Sequence, residues 1–289
     1  KKAVQLTFHR CDGSTWQKTT LAKGSSYSLP GVRDAEGYTF MGWSTKPMQS
    51  VSPQYEAEEK ITVNGNVDLY AVVFNRTTET DLTEDQLPQV DIYKYKQVIF
   101  VGDSRTEFME NVLTGMGESA TKNVKFVCSA GKGLDWFTTT GWAQLYSIVQ
   151  HDSNSILSKK TAVIFNFGVN DLSKSADYAE YYNWIAPQLK SKGCELYFMS
   201  VNPVNRLMLP NAGRADRSEA AVRSFNQYMK ANLSSAYTYI DMYSYLKSTG
   251  YSFASDHYGT GTVDDGLHYT TRTYKRIFAK CMDSLRVPA

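Results

Sequence analysis

The sequence lacks the features that mark membrane-spanning, zinc-binding or nucleotide-binding proteins. No apolar run approaches the roughly 18 residues that a membrane-spanning helix needs. The four cysteines lie far apart and form no Cys-x-x-Cys pair. No His, Asp or Glu grouping has the spacing of metal ligands, so we expect no metal and no cofactor. No Gly-Lys-Ser/Thr loop that would hold a phosphate occurs.

An excess of charge of one sign is also absent. The formal net charge is +2 and no basic stripe stands out, which gives no reason to expect a nucleic-acid partner. No signal peptide is visible, but the chain starts abruptly at Lys1, as a mature fragment would, so export stays open. The even number of cysteines permits disulfides without requiring them. Cys128 and Cys194 fall in or beside predicted core strands, where they serve as small apolar side chains.

Residues 1–75 have the pattern of a β-structure. Residues 4–8 alternate apolar and polar with the period of a strand, and residues 61–74 contain two strand-like runs joined by a tight turn. Between them, Tyr38, Phe40 and Trp43 supply aromatic side chains for a small core. The sequence therefore predicts a small β-rich domain at the N-terminus.

This pattern resembles the internalin B-repeat (Listeria–Bacteroides repeat) family of β-grasp-like modules over roughly residues 3–74. The resemblance rests on the opening strand, the Leu29-Pro30 element, the Gly-Tyr-x-Phe-x-Gly-Trp signature at 37–43 and the closing Leu-Tyr-Ala-Val-Val at 69–73. It implies a module of bacterial surface or secreted proteins, used as a spacer or adhesion unit. We therefore expect an extracellular or cell-surface location, where the module could associate with the cell wall.

The pattern changes after this module. Residues 76–95 are polar, rich in threonine and acidic, which predicts an interdomain linker. From 96 to 289, short apolar runs alternate with longer amphipathic segments, which predicts a parallel α/β sheet covered on both faces. The apolar runs lie at 98–101, 125–129, 162–168, 195–201 and 237–240. Because ligands bind beyond the carboxyl ends of such strands, catalytic residues should directly follow the runs.

Polar blocks do follow these runs. Gly-Asp-Ser at 102–104 follows the first run, a glycine-rich block at 128–136 the second, and Gly-Val-Asn-Asp at 168–171 the third. A further block, Asp-Asp-Gly-Leu-His at 264–268, precedes the last predicted helix. Asp103-Ser104 alone would more commonly be a helix cap than a nucleophile. Together the blocks bring a serine, glycine amides, an asparagine and an Asp/His pair to one predicted edge of the sheet.

The region from about 96 to 286 thereby resembles the SGNH (GDSL-type) hydrolase superfamily. The superfamily is named after four residues, S, G, N and H, and their positions are taken here by Ser104, Gly133, Asn170 and His268. The resemblance implies a flavodoxin-like three-layer α/β/α fold with a five-stranded parallel sheet. It also implies a carboxylic ester hydrolase that needs no cofactor.

Three departures from the family pattern concern its first two blocks. Arg105 stands where leucine usually follows the serine, and Cys128 stands where asparagine commonly opens the second block. That block also has two glycines, and Gly133 is preferred to Gly131 because of its distance from Cys128.

The roles of these residues follow from their chemistry. His268 accepts the proton of Ser104 and later donates it to the leaving group, while Asp265, three residues earlier, holds the other imidazole nitrogen. Ser104 attacks an ester carbonyl and forms an acyl-enzyme. The negative oxygen is then met by the N–H groups of Ser104 and Gly133 and by the side-chain amide of Asn170.

Other residues compete for the same roles. His257, which follows an aspartate in a glycine-rich loop, is the rival base, whereas His9 lies in the β-module and His151 follows a helix without a partner. His268 is preferred because Asp265 has the right offset. Asp264 is the alternative carboxylate beside it.

Neighbouring residues receive supporting roles. We expect Asp103 to brace the nucleophile loop and Asp171 to cap the next helix. Trp136 is interpreted as a core residue, with the pocket wall as the weaker alternative. Arg105 is interpreted as a solvated helix charge, and an anchor for an acidic substrate group is the less favoured alternative.

The sequence thus predicts a secreted or surface-attached serine esterase. By analogy, its substrate is an acyl ester, above all an O-acetyl ester, on a small molecule or a polymer such as a glycan. Two alternatives stay open. The same triad could run an acyltransferase of a cell-wall glycan, and the chain could be a non-catalytic surface adhesion protein on a hydrolase fold.

Overall fold

Six short strands build the N-terminal β-module in the computed structural model, which describes residues 2–150, 160–258 and 261–285. They are β1 (Ala3–His9), β2 (Thr15–Ala22), β3 (Ser25–Ser28), β4 (Tyr38–Ser44), β5 (Lys60–Val63) and β6 (Val67–Asn75). One sheet has the order β2-β1-β6-β4, with β1 and β6 parallel at its centre, and β3 pairs with β5. This mixed sheet confirms the predicted β-rich domain.

Trp43 lies at the centre of the core of the module. Its ring is fully buried, contacts Phe8 and Phe40 with ring centroids 4.8 and 5.4 Å apart, and donates from Nε1 to the carbonyl of Pro30 at 2.9 Å. The neighbouring Gly42 has φ of +141°, and a Cβ atom at this position would lie 2.5 Å from a backbone oxygen, so only glycine fits. Of the three predicted core aromatics, Phe40 and Trp43 are buried and Tyr38 is exposed.

The segment 76–95 is folded more tightly than its composition suggests. It contains the 3₁₀ turns Arg76–Thr78 and Glu84–Gln86. It also buries the side chains of Leu87, Val90 and Tyr95. The boundaries of the two domains and of the linker stay a prediction.

The five apolar runs of the second part form five strands of one parallel sheet. These are β7 (Gln97–Gly102), β8 (Val124–Cys128), β9 (Thr161–Asn166), β10 (Cys194–Met199) and β11 (Tyr237–Ile240). Their order is β11-β10-β9-β7-β8, all parallel, which is the flavodoxin-like order and confirms the predicted α/β fold. All residues of β7 and β9 are buried, as expected for strands covered on both faces.

Helices separate these strands along the chain, as the alternation of apolar runs and amphipathic segments predicts. They are α1 (Ser104–Met116), α2 (Leu134–Trp136), α3 (Trp142–Gln150), α4 (Ser175–Ser191), α5 (Glu219–Asn232), α6 (Met242–Thr249) and α7 (Thr271–Ser284). A π-helical turn, Phe137–Gly141, joins α2 to α3. Within the described ranges, no helix combines the length and the apolar composition needed to cross a membrane.

An antiparallel pair of strands, β12 (Phe253–Tyr258) and β13 (Gly261–Tyr269), was not predicted. The segment around His257, predicted as a glycine-rich loop, is one of these strands. Aromatic packing holds the pair instead, since Phe253 stacks on Tyr269 with centroids 5.5 Å apart and Tyr251 meets the same ring edge-on at 5.8 Å. The block at 264–268 therefore lies within a strand, which ends just before α7 begins at Thr271.

The chain divides into two compact units whose segments alternate along the sequence. The module unit comprises residues 1–79, 203–220 and 243–270, and the sheet unit comprises residues 80–202, 221–242 and 271–289. Within the module unit, the buried Lys247 donates to the carbonyl of Met41 and pairs with Glu56 and Glu219. The β-module and two later segments therefore share one packed unit.

Candidate active site

Ser104 is the first residue of α1, and a single residue separates it from the end of β7. The residue before it, Asp103, is the N-cap, and its side chain accepts the backbone N–H of Arg105 at 3.0 Å. Gly102 makes this tight turn possible, because a Cβ atom there would lie 2.0 Å from the hydroxyl oxygen of Thr106. The strand-to-helix junction therefore places the Ser104 hydroxyl and its N–H at a helix N-terminus, where backbone N–H groups favour negative charge.

Arg105 is not the solvated charge that its place on a helix suggested. Its side chain is 3% exposed, and Nη1 donates to the carbonyl of Asn202 at 2.9 Å. The prediction was wrong because a backbone carbonyl beyond β10 holds the guanidinium inside the sheet unit. This bond ties the start of α1 to the segment that follows β10.

Gly133 lies against Asp171 of the third block, whose predicted role was to cap the next helix. Asp171 accepts the N–H of Leu134 at 2.9 Å and the hydroxyl of Tyr178 at 2.8 Å. A Cβ atom at Gly133 would lie 2.3 Å from Oδ2 of Asp171. Although Asp171 precedes the 3₁₀ turn Leu172–Lys174, its side chain makes no capping bond to that turn. The expected cap thus acts on a different helix, α2.

The Asn170 side chain reaches the same loop. Its Nδ2 donates to the carbonyl of Lys132 at 2.8 Å. This bond orients the amide beside Gly133, whose N–H is the other predicted oxyanion donor. Gly131, the alternative glycine, adopts a left-handed φ of +71° and no atom lies within 4 Å of a Cβ atom built there.

The sheet register brings the first three blocks to one edge. Gly102 pairs with Cys128 on β8 and with Asn166 on β9, so the loops after these three strands start side by side. Glu107, one turn into α1, accepts the N–H of Ala130 at 2.8 Å and ties the second block to the helix of Ser104. Ser104, Gly133 and Asn170 therefore belong to three neighbouring loops at the carboxyl ends of parallel strands.

Asp265 and His268 form a buried pair in the module unit. Oδ2 of Asp265 lies 2.5 Å from Nδ1 of His268, and the two side chains are 3% and 4% exposed. Oδ1 of Asp265 accepts the backbone N–H groups of Leu267 and His268 at 2.8 and 2.7 Å. Arg214 adds a cation 3.6 Å from Oδ2. This arrangement holds the imidazole through Nδ1.

The protonation state of Asp265 follows from the same contacts. Burial raises the pKa of this carboxyl, but the hydrogen bond and charge of His268 and the two backbone N–H groups more than offset it, so the pKa lies below its usual value. Asp265 is therefore an anion at neutral pH.

The competing residues have other contacts. Asp264 pairs with Nη1 of Arg76 at 2.7 Å and accepts the hydroxyl of Ser255 at 3.0 Å. His9 pairs with Asp68 at 2.8 Å in the β-module. His151 and the side chain of His257 lie outside the described residues.

The cysteines of the chain are poor candidates for catalysis. All four cysteines are free thiols. Burial raises the pKa of the Cys128 thiol, which also donates to Glu110 at 3.3 Å, so it stays protonated and is a poor nucleophile. In the part of the chain that the structure describes, no cluster of His, Cys, Asp and Glu could hold a metal ion.

Trp136 packs against Phe167 with ring centroids 6.1 Å apart.

Comparison with known proteins defines the class. Residues 98–281 match the model of the GDSL-like lipase/acylhydrolase family, and residues 5–72 match that of the Listeria–Bacteroides repeat domain. The chain belongs to the GDSL-like lipase/acylhydrolase family. Both predicted resemblances are confirmed, and the protein is an enzyme of the SGNH ester hydrolase type.

Solved structures include similar folds at low sequence identity. A GDSL-like lipase from Bacteroides thetaiotaomicron VPI-5482 is 18% identical, with 70% of this chain and 92% of that chain covered and a TM-score of 0.45. An acetyl xylan esterase is 11% identical, with 66% and 100% covered and a TM-score of 0.44. A comparison with curated proteins found no match.

Proposed function

We propose that the chain hydrolyses acyl esters through a triad of Ser104, His268 and Asp265. The observation that carries this proposal is the buried Asp265–His268 pair, with its 2.5 Å contact at Nδ1. A carboxylate bound to Nδ1 fixes the tautomer in which Nε2 accepts a proton. The family supplies the reaction class, and Ser104 is the hydroxyl at the strand end that this class uses.

The reaction proceeds in two halves. Ser104 Oγ attacks the ester carbonyl carbon while His268 Nε2 takes its proton, and collapse of the tetrahedral intermediate releases the alcohol, which receives that proton. Water then attacks the acyl-enzyme, again with His268 as base, and releases the acid and free Ser104. The oxyanion of each tetrahedral intermediate accepts hydrogen bonds from the N–H groups of Ser104 and Gly133 and from Asn170 Nδ2.

The test compares the wild type with Ser104→Ala in hydrolysis of p-nitrophenyl acetate. We expect kcat to fall on the order of 10⁴-fold or more, because the nucleophile is lost. Ser191→Ala is the matched control, since this serine is exposed and its hydroxyl only donates to Gln188 within α4. Equal rates for the wild type and Ser104→Ala would show that Ser104 is not the nucleophile. His257→Ala should retain activity and His268→Ala should lose it.

The proposed substrate is an acetyl ester on a carbohydrate outside the cell. The repeat family supports the location. A concave surface on the β-module also supports the sugar, because Trp16 and Tyr38 line it and are 39% and 43% accessible. Flat aromatic faces suit packing against the C–H face of a sugar ring.

Two measurements test this substrate class. Release of acetate from an acetylated polysaccharide should exceed release from p-nitrophenyl acetate in kcat/KM, and Trp16→Ala should weaken retention on the polymer. Trp184→Ala is the matched control, since this tryptophan is 59% exposed on α4 of the sheet unit. Adding an unacetylated glycan distinguishes transfer from hydrolysis, because an acyltransferase would move the acetyl group to it. If the polymer retains the wild type and Trp16→Ala equally, the proposal that the module binds sugar is wrong.

A further inference from the structure

Arg76, the first residue after the β-module, bridges two carboxylates. Its Nη2 lies 2.7 Å from Oδ2 of Asp34, and its Nη1 lies 2.7 Å from Oδ2 of Asp264. Nε donates to the hydroxyl of Thr39 at 3.0 Å, so each guanidinium nitrogen has a partner. The three charged side chains are 15%, 0% and 17% exposed, which keeps the bridge largely away from solvent screening.

Asn205 makes a second connection from Asp34 to the same strand. Its Nδ2 donates to Oδ1 of Asp34 and to the carbonyl of Val32, both at 3.0 Å. Its backbone N–H donates to the carbonyl of Gly266 at 2.9 Å. Gly266 has φ of +66°, and a Cβ atom there would lie 2.6 Å from the carbonyl oxygen of Asn205. The backbone around Gly266 is therefore packed directly on Asn205.

These two connections hold the residues on either side of Asp265. Arg76 binds Asp264, one position before it, and Asn205 binds Gly266, one position after it. The direction in which the Asp265 carboxylate points is set by this backbone, and the 2.5 Å contact to His268 depends on that direction. A small displacement of a catalytic group is costly, because proton transfer needs close and aligned atoms.

We propose that Arg76 and Asn205 are positioning residues for the Asp265–His268 pair, so that the β-module takes part in catalysis and is more than a spacer or an adhesion unit. The proposal rests on the proposed function of that pair. Arg76 and Asn205 act through the backbone of residues 264–266, and neither is assigned a contact with the reacting atoms. The module and the acid–base pair thus form one functional assembly within the module unit.

The experiment uses the full chain and three variants that weaken the connections to different degrees. Asp264→Ala removes the bond of Arg76 to the strand and leaves the Arg76–Asp34 pair. Arg76→Lys keeps the positive charge. The guanidinium uses one nitrogen for Asp34 and another for Asp264, whereas lysine offers a single nitrogen for both carboxylates. Asn205→Ala removes the side-chain bonds and keeps the backbone N–H. Asp68→Ala is the matched control, since it breaks the His9–Asp68 pair, whose carboxylate is 60% exposed in the same module.

With p-nitrophenyl acetate, Asp264→Ala and Arg76→Lys should lower kcat by about 10- to 100-fold because the acid–base pair is displaced. Asn205→Ala should lower kcat by a smaller factor, because its backbone bond to Gly266 remains, and an unchanged kcat would remove Asn205 from the positioning role. KM should stay within about two-fold, and Asp68→Ala should match the wild type in both constants. Thermal unfolding of every variant checks that the chain is folded at the assay temperature. Folded Asp264→Ala and Arg76→Lys variants with wild-type kcat would overturn the proposal.

A spectroscopic measurement separates this proposal from the proposed function. The proton between Asp265 and His268 Nδ1 should give a downfield ¹H NMR signal, which its loss in His268→Ala would assign. This signal should shift or broaden in Asp264→Ala and Arg76→Lys and stay in place in Asp68→Ala. It should also persist in Ser104→Ala, which tests the reaction alone. An unchanged signal in both bridge variants would overturn the positioning role even if Ser104 were shown to be the nucleophile.

Discussion

The carboxylate of Asp265 uses both of its oxygens to hold His268. Oδ2 contacts the ring at Nδ1 at 2.5 Å, while Oδ1 accepts the backbone N–H of the same histidine at 2.7 Å. Side chain and main chain of His268 are thus fixed by one group. The ring therefore cannot turn without breaking its bond to an anion that burial makes costly to leave unpaired.

Asp265→Asn should abolish most of the activity and leave the fold intact. An amide can still occupy the site, but it stabilises neither the required tautomer nor the imidazolium, so kcat should fall on the order of 10⁴-fold. The measurement is kcat for p-nitrophenyl acetate, with circular dichroism to check the fold. Asp68→Asn in the β-module should leave kcat unchanged. Retention of more than a tenth of wild-type kcat by Asp265→Asn would show that another residue serves His268.

Alanine substitutions at two glycines test whether the loop of Gly133 tolerates a side chain less well than a helix does. Gly133→Ala should reduce kcat strongly, because the new Cβ atom would lie 2.3 Å from Oδ2 of Asp171 and would displace the loop or that carboxylate. Gly115→Ala in α1 meets no atom within 4 Å and should raise the free energy of unfolding by up to about 1 kcal/mol through helix propensity. Chemical denaturation and steady-state kinetics check both variants. Unchanged kcat in Gly133→Ala would argue against an oxyanion donor at this position.

The strands of the sheet unit were predictable because each of them coincides with a short, mostly apolar run. The strand pair β12–β13 was not, since residues 251–262 show neither a strong alternation nor a motif. Its stability comes from packing of Tyr251, Phe253 and Tyr269, which no local pattern encodes. The sharing of one unit by the β-module and residues 243–270 was equally hidden, because it depends on contacts such as Thr39 with the Tyr251 carbonyl, at 2.7 Å.

The residues of the site divide in the same way. Asp265 and His268 are three positions apart, and the sequence predicted their pairing from that offset. Asp171 and Arg105 were misinterpreted, because local rules assign an aspartate before a helix to capping and an arginine on a helix to solvent. Their partners, Leu134 and Asn202, lie 37 and 97 positions away, and only the folded sheet brings them together.

Asn170→Ala should lower kcat by about 10²- to 10³-fold, the usual cost of one oxyanion donor. KM should change little, because the donor acts on the charge that develops in the transition state. The matched control is Asn183→Ala. In the wild type, the amide of Asn183 donates to the carbonyl of Asn232 at an exposed site on α4. Steady-state kinetics with p-nitrophenyl acetate give both constants. A rise in KM with unchanged kcat would place Asn170 in ground-state binding instead.

The buried carboxyl of Asp34 should make stability fall as pH rises. Burial raises its pKa to about 6 against the attraction of Arg76 and the hydrogen bonds from Phe40 and Asn205, while the charge of Asp264 raises it further. Between the unfolded value, 3.8, and this folded value, the native state binds more protons than the unfolded state, so the free energy of unfolding decreases as pH increases. The full effect of such a shift is roughly 3 kcal/mol.

Asp34→Asn removes this titration and so isolates it. The free energy of unfolding of the wild type, minus that of Asp34→Asn, should decrease from pH 4 to pH 7 in urea denaturation, with most of the change below pH 6. Asp68→Asn, in which an exposed carboxylate is changed, should show no such decrease. A difference that instead increases with pH would mean that the attraction of Arg76 outweighs burial and that the pKa of Asp34 lies below 3.8. The ion pair with Arg76 would then be a net stabilising contact of the module at neutral pH.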